Sequence, residues 1–389
     1  MILVVFYDKD VISTLLAAFT LKPHKIYMLY DSKLVPRKFI RNIKEAITAK
    51  LRHVNVVNVE CDAYSTTSVQ SAFNLIKSQN PGHDIFVDVK GGPEMMVAVG
   101  VGYAYSKGAI PVYHTPDEKY LFQVYDKNVK YKAARIRIND YLRAVGAKQF
   151  ANSHDMPMRE EFPMLQEMAE LIFDNMNGWS RLQKFFEEVL CGEDNYEFTF
   201  DSSEIRENCA GEMQFLVDSF KRLGFIIQHS KYDYEVVSHK YKQYITNYGI
   251  WLELYTYINA CALYDEVYLG FVIDWDCTDL MASNDNEIDV IVMENNRPVF
   301  ISCKQRKPES KDLTEVGFLA KRFGGDKAKA VLATTYPVRE NGDARNSVYV
   351  RLKKFGIGLI EVKDFKKREA AEIFEEAFSA GTVKDKTLW

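Results

Sequence analysis

The chain has 389 residues and a mass of 44.9 kDa, with 47% apolar and 27% charged residues. That balance excludes a largely disordered chain, a collagen-like repeat and a small disulfide scaffold. Fifty basic against 54 acidic side chains give a formal charge of −4, which excludes a uniformly basic nucleic-acid coat and leaves room for a local basic patch.

At about 150 residues per domain, the length predicts two to three domains. The first part alternates short apolar runs with amphipathic ones. Strands are expected at 2–6, 25–30, 54–59, 84–89 and 110–114, and helices at 11–19, 36–51, 66–78 and 94–106. Such alternation means right-handed βαβ units and a parallel sheet with helices on both faces. Residues 121–125 are expected as an antiparallel edge strand. After about 135 the pattern turns helical, with helices at 139–145, 159–175, 180–190 and 212–223. A strand at 196–200 and a hairpin over 225–229 and 234–237 accompany them. That order fits a winged-helix-like connector. From about 248 a mixed pattern returns. It has helices at 251–263, 313–323, 346–354 and 365–378, and strands at 266–275, 287–293, 298–303, 330–334 and 358–361. The domain boundaries read as 1–145, 146–245 and 246–389.

No basic segment followed by a long apolar run opens the chain. The longest apolar stretch, near 95–105, is about half of a membrane span. Cysteines at 61, 191, 209, 261, 277 and 303 form no Cys-x-x-Cys pair. Neither a zinc ribbon nor a thioredoxin-type motif follows, and a reducing cytoplasm is the expected compartment.

Two segments carry chemistry. Asp88-Val89-Lys90-Gly91-Gly92-Pro93-Glu94-Met95-Met96 runs from a strand directly into a helix. Two glycines let a backbone approach a ligand, Pro93 is pre-set for a helix start, and free amides at that start attract phosphate. Lys90 adds a positive charge. The turn at Tyr7-Asp8 and the loop holding Ser32 lie at the same C-terminal edge of the sheet, where ligands of open α/β folds sit. Neither a GxGxxG fingerprint nor a Walker lysine is present. Met95 and Met96 read as core fillers.

The second segment is a hairpin. In Asn286-Glu287-Ile288-Asp289-Val290, Glu287 and Asp289 share a strand face; in Phe300-Ile301-Ser302-Cys303-Lys304, so do Ser302 and Lys304. A turn at Asn295-Asn296 brings the strands together. Upstream, Glu253 is the lone carboxylate of an apolar helix. Carboxylates suit a hard divalent cation, which phosphodiester hydrolysis uses to activate water, and a lysine beside it orients that water. Between Arg297 and Lys329 nine basic residues face four acidic ones, enough for several phosphate contacts.

The first motif resembles the turn of the CARF domain, a Rossmann-like sensor of cyclic oligoadenylates in type III CRISPR defence. Gly91, Gly92 and Met96 match it, whereas Lys90, Pro93 and Glu94 differ. The second resembles a PD-(D/E)XK, restriction-endonuclease-like domain, with Glu253, Asp289, Lys304 and Arg322-Phe323-Gly324-Gly325 in order. Together they resemble the CRISPR-ancillary CARF–nuclease proteins. The resemblance implies a homodimeric nuclease activated by a cyclic oligoadenylate, with cyclic tetra-adenylate favoured. Lys90, Gly91, Gly92, Pro93, Glu94, Tyr7, Asp8 and Ser32 would bind the ring. Asp289, Glu253 and the Cys303 backbone carbonyl would hold Mg²⁺ or Mn²⁺, Lys304 would position water, and Glu287 would assist. Single-stranded DNA, duplex DNA and RNA all remain open as substrates. Ser302 stands where that family has Glu or Gln, which keeps two alternatives open: a sensor with a weakened nuclease domain, and a restriction-type nuclease needing no ring.

Overall fold

The computed structural model describes residues 1–7, 10–191, 198–203, 211–274, 286–324, 329–339 and 348–380. Asp8, Cys209, Cys277 and Gly325 lie outside the described residues. By packing, the chain divides into two compact units. The first comprises 1–150, 273–286 and 293–298; the second comprises 151–272, 287–292 and 299–389.

In the first unit, β1 (Ile2–Phe6), β2 (Lys25–Tyr30), β3 (Asn55–Glu60), β4 (Ile85–Asp88) and β5 (Ile110–His114) alternate with α1 (Val11–Leu21), α2 (Arg37–Lys50), α3 (Thr66–Gln79) and α4 (Glu94–Lys107). The sheet order is β3-β2-β1-β4-β5, all parallel. β6 (Tyr120–Gln123) and β7 (Asp126–Lys132) extend it antiparallel. The expected edge strand therefore exists, and a second one lies beyond it. β1 is the most buried strand, with every residue at most 2% exposed. It is covered on both faces, as an apolar run in a parallel sheet requires. The strand order reverses between β1 and β4, the position at which open α/β sheets commonly take ligands.

α5 (Ile138–Val145) is followed by β8 (Lys148–Asn152), a strand the sequence pattern did not mark. In the second unit, α6 (Phe162–Asp174) and α7 (Met176–Leu190) precede β9 (Thr199–Asp201), α8 (Glu212–Arg222), β10 (Ile226–Gln228) and β11 (Asp233–Val236). The small antiparallel sheet has the order β10-β11-β9. Then come α9 (His239–Thr246) and α10 (Ile250–Cys261). Trp179 of α7 and Trp251 of α10 meet edge to face at 6.2 Å, and Phe220 and Phe225 pack on Trp251. These aromatic contacts join the helical region to the following sheet in one continuous core.

That sheet contains β12 (Val267–Asp274), β13 (Asn286–Glu294), β14 (Arg297–Lys304), β15 (Lys329–Thr334) and β16 (Gly358–Glu361), in the order β16-β15-β14-β13-β12-β8. β14, β15 and β16 are parallel. α11 (Ser310–Gly324), α12 (Val348–Phe355) and α13 (Ala370–Ala380) complete the unit. β13 and β14 are joined by Asn295 and Asn296, both with positive φ (47° and 66°), a type I′ hairpin at the anticipated residues. The α/β class, the N-terminal parallel sheet and the mixed C-terminal sheet are as expected. Among the described residues no helix is long and apolar enough to cross a membrane.

Candidate functional site

The glycine turn of the first unit sits at the strand-order reversal. Gly92 adopts φ +101°, and a Cβ there would lie 2.2 Å from the Phe6 Cβ. Only glycine fits, because α4 starts hard against the end of β1. Pro93 is the N-cap of α4 and Glu94 lies exposed in its first turn. Met96 is fully buried, but Met95 is 40% exposed, so only one of the pair fills the core. Successive residues at a helix start point to different sides, and Met95 takes the solvent side.

Lys90 does not project freely from this turn. Its ammonium lies 2.9 Å from Glu118 Oε1 and is mostly buried. Arg297, at the hairpin tip that packs in this unit, also pairs with Glu118, and stands 3.4 Å from Asp10 Oδ2. Burial works against the Arg297 charge, but Asp10 and Glu118 outweigh it and raise its pKa. Tyr7 is 1% exposed, within the core. Ser32 lies on the surface and donates to Glu60. Behind it, Asp31 accepts from the Lys33 amide at 2.8 Å and the Ala63 amide at 2.9 Å.

In the second unit, Glu253, Glu287, Asp289, Ser302 and Lys304 converge. Glu253 stands in the first turn of α10, whose other faces are buried. Turned to satisfy both of its amide groups, the Gln305 side chain donates to the Tyr248 carbonyl and accepts from the Leu252 amide at 3.2 Å, fastening the start of α10 beside the end of β14. Asp289 Oδ2 accepts from the Cys303 amide at 2.6 Å and from Ser302 Oγ at 3.3 Å, and Lys304 Nζ is 3.6 Å away. The Cys303 amide faces Asp289, and burial pushes its thiol pKa well up. Burial and then the charge of Glu253 hold Asp289 well above the ordinary carboxylate range, despite Lys304 and the Cys303 amide. Lys304 keeps a raised pKa: burial lowers it, and Asp289, together with Cys303, Asp312 and Glu315, more than restores it.

One residue escaped sequence reasoning. His154, just beyond β8, places Nε2 3.4 Å from Glu253 Oε2 and 3.8 Å from Glu287 Oε1. The ligand atoms of these three all lie within 4.8 Å of one another. Burial pulls the imidazole pKa down, and Glu253, Glu287 and Asp289 together push it above its ordinary value. Glu253 Oε2 is buried without a hydrogen bond. An Asp289 carboxyl whose pKa is raised by burial and by Glu253, with an orphaned Glu253 oxygen close to His154, fits a divalent cation. The basic segment between Arg297 and Lys329 is partly consumed internally: Arg297 as above, Lys304 on Asp289, and Arg306 in a two-pronged pair with Asp312.

This fold is known from solved structures. VC1899 from Vibrio cholerae matches with a TM-score of 0.79 and 17% identity, over 98% of this chain and 99% of that one. Can2 from Sulfobacillus thermosulfidooxidans, solved with cyclic tetra-adenylate, matches with a TM-score of 0.65 and 16% identity, over 96% and 97%. A type III CRISPR defence DNA nuclease activated by cyclic oligoadenylate gives 0.53 and 16%, over 86% of this chain and 45% of that one. The resemblance read from the two motifs thus meets CRISPR nucleases among the structural neighbours. At these identities the likeness is one of fold. No protein-family model and no curated protein matches the sequence.

Proposed function

We propose that this chain is a metal-dependent nuclease switched on by a cyclic oligoadenylate. The observation that carries it is the convergence of Glu253, Asp289 and Lys304 on one hairpin and one helix start. The shared fold with Can2, which was solved with cyclic tetra-adenylate, supports the choice of activator. In this reading residues 1–145 sense the ring, 146–245 connect, and 246–389 cut.

The ring would lie over the reversal between β1 and β4, against the Gly91-Gly92 turn and the start of α4. A homodimer would set two such turns across a two-fold axis, matching the symmetry of a cyclic ligand. Mg²⁺ or Mn²⁺ would be held by Glu253 and Asp289, with Glu287 at the open side. A bound cation polarises the phosphate and lowers the pKa of its water. Lys304, charged and beside Asp289, orients that water and offsets charge on the phosphate. The Cys303 amide and Ser302 hydroxyl fix the Asp289 carboxylate for its task.

A second reading, a sensor that does not cut, has one observation in its favour. Ser302 spends its hydroxyl on Asp289 and supplies no further carboxylate. One experiment separates the two. Purified protein meets labelled single-stranded DNA, RNA and supercoiled plasmid, with Mg²⁺ or Mn²⁺. Each is run without ligand and with cyclic tri-, tetra- and hexa-adenylate. Cutting that needs both ring and metal, and falls at least about a hundredfold in Lys304→Ala, supports the proposal. Cutting without a ring makes the chain a restriction-type enzyme. Ring binding with no cutting under either metal establishes the silent sensor.

A further inference from the structure

The residues gathered around Glu253 include one nitrogen donor. His154 is brought there by construction, not by the chance sweep of a surface loop. The Ser153 amide donates to the Gly270 carbonyl at 2.8 Å. Gly270 lies in the middle of β12 with φ +53°, and a Cβ there would stand 2.2 Å from Ser153 Oγ and 3.1 Å from His154 Cδ2. A strand interior has thus given up both a side chain and an ordinary backbone conformation where Ser153 and His154 cross it. The imidazole and the Glu253 side chain are 11% and 12% exposed, whereas Glu287 is 47% exposed. The pocket is therefore walled on two sides and open on the third.

The spacings are looser than those of a tight hydrogen-bonded network. Nε2 is 3.4 and 3.8 Å from its two carboxylate neighbours, and the buried Glu253 Oε2 makes no hydrogen bond. Atoms each about 2.1 Å from a common ion lie about 3–4 Å apart, which is this spacing. The donor chemistry agrees. The position two before Lys304, Ser302, offers no carboxylate, and His154 adds a donor from the segment just beyond β8.

We propose that His154 Nε2 is a metal ligand, together with Glu253 and Glu287, and that this mixed nitrogen–oxygen centre selects Mn²⁺ over Mg²⁺. Mg²⁺ demands oxygen ligands and gives up water reluctantly. Imidazole binds first-row transition ions, even Mn²⁺ as the weakest of them, more readily than it binds Mg²⁺. The inference rests on the metal-centre reading given above and names the ion class that centre takes.

The test uses full-length protein stripped with chelator and no nucleic acid. Mn²⁺ and Mg²⁺ are titrated separately by calorimetry, and the Mn²⁺ form is examined by pulsed electron paramagnetic resonance. The spectrum of wild type should show nitrogen modulation, and labelling histidines alone with ¹⁵N should change it. In His154→Gln, Mn²⁺ affinity should fall about tenfold or more while Mg²⁺ affinity stays within about twofold. Mn²⁺ binding that is lost in Asp289→Asn, yet shows no histidine nitrogen in wild type, overturns the ligand role of His154 and leaves the metal centre standing. An equal loss of both ions in His154→Gln overturns the selectivity. Failure of wild type to bind either ion overturns both readings. The labelling measurement needs no variant, so a poorly folded substitution does not blunt it.

Discussion

Two aspartates of this chain show opposite electrostatic fates for one side-chain type. Asp31 is 5% exposed, and its anion is met by two backbone N–H groups. The Ala63 amide is the main cause of its lowered pKa, against the opposing effect of burial. Its folded value lies below the unfolded one, so its contribution is complete at neutral pH and is lost as pH falls through the folded value. Asp31→Asn should cost about 1–2 kcal/mol at pH 7 and flatten the loss of stability below about pH 4. Denaturant unfolding at pH 7 and pH 3 measures both. Asp289 meets one amide, one hydroxyl and one ammonium, but it is buried beside Glu253 and its pKa rises. A carboxylate held against its own charge is what the proposed cation site would use, whereas Asp31 is held as an anion by two amides.

At the scale of elements, the decisive pieces are an edge strand and a hairpin. The hairpin was legible: Asn295-Asn296 between apolar runs is a strong short-range turn signal, and both residues adopt the left-handed conformation it requires. Glu287, Asp289 and Lys304 could therefore be placed from spacing alone. β8 was not legible. Lys148-Gln149-Phe150-Ala151-Asn152 has neither an apolar run nor clean alternation, because an edge strand needs only one neighbour and shows much of itself to water. Missing β8 meant missing His154, whose spacing in sequence ties it to nothing. Met95 failed differently: its neighbour Met96 points into the core and Met95 does not. The dependence of His154 on its neighbour strand is testable. Gly270→Ala should lower stability by about 1–3 kcal/mol and weaken Mn²⁺ binding with His154 itself intact. Thermal unfolding and calorimetry of that variant check the two effects separately.

Across the whole molecule, the parallel sheet with helices on both faces followed from alternating strands and helices, whereas its order β3-β2-β1-β4-β5 came only from the structure. What patterning could not reveal is that the first unit is assembled from distant stretches of chain. Residues 293–298 pack within it, and Arg297 there, with Lys90, Asp10 and Glu118, forms a mostly buried group of two cations and two anions. Arg297→Ala removes the cation shared by Asp10 and Glu118 and should cost about 3 kcal/mol, measurable by chemical denaturation. The arms of that same hairpin hold Asp289 and Lys304. Recombination between related genes therefore has no single clean crossover point in this protein. A foreign N-terminal half joined at residue 150 would inherit an arginine chosen for another chain's acids. Only a graft that carries the six-residue tip along with the acids it pairs would keep its charges matched.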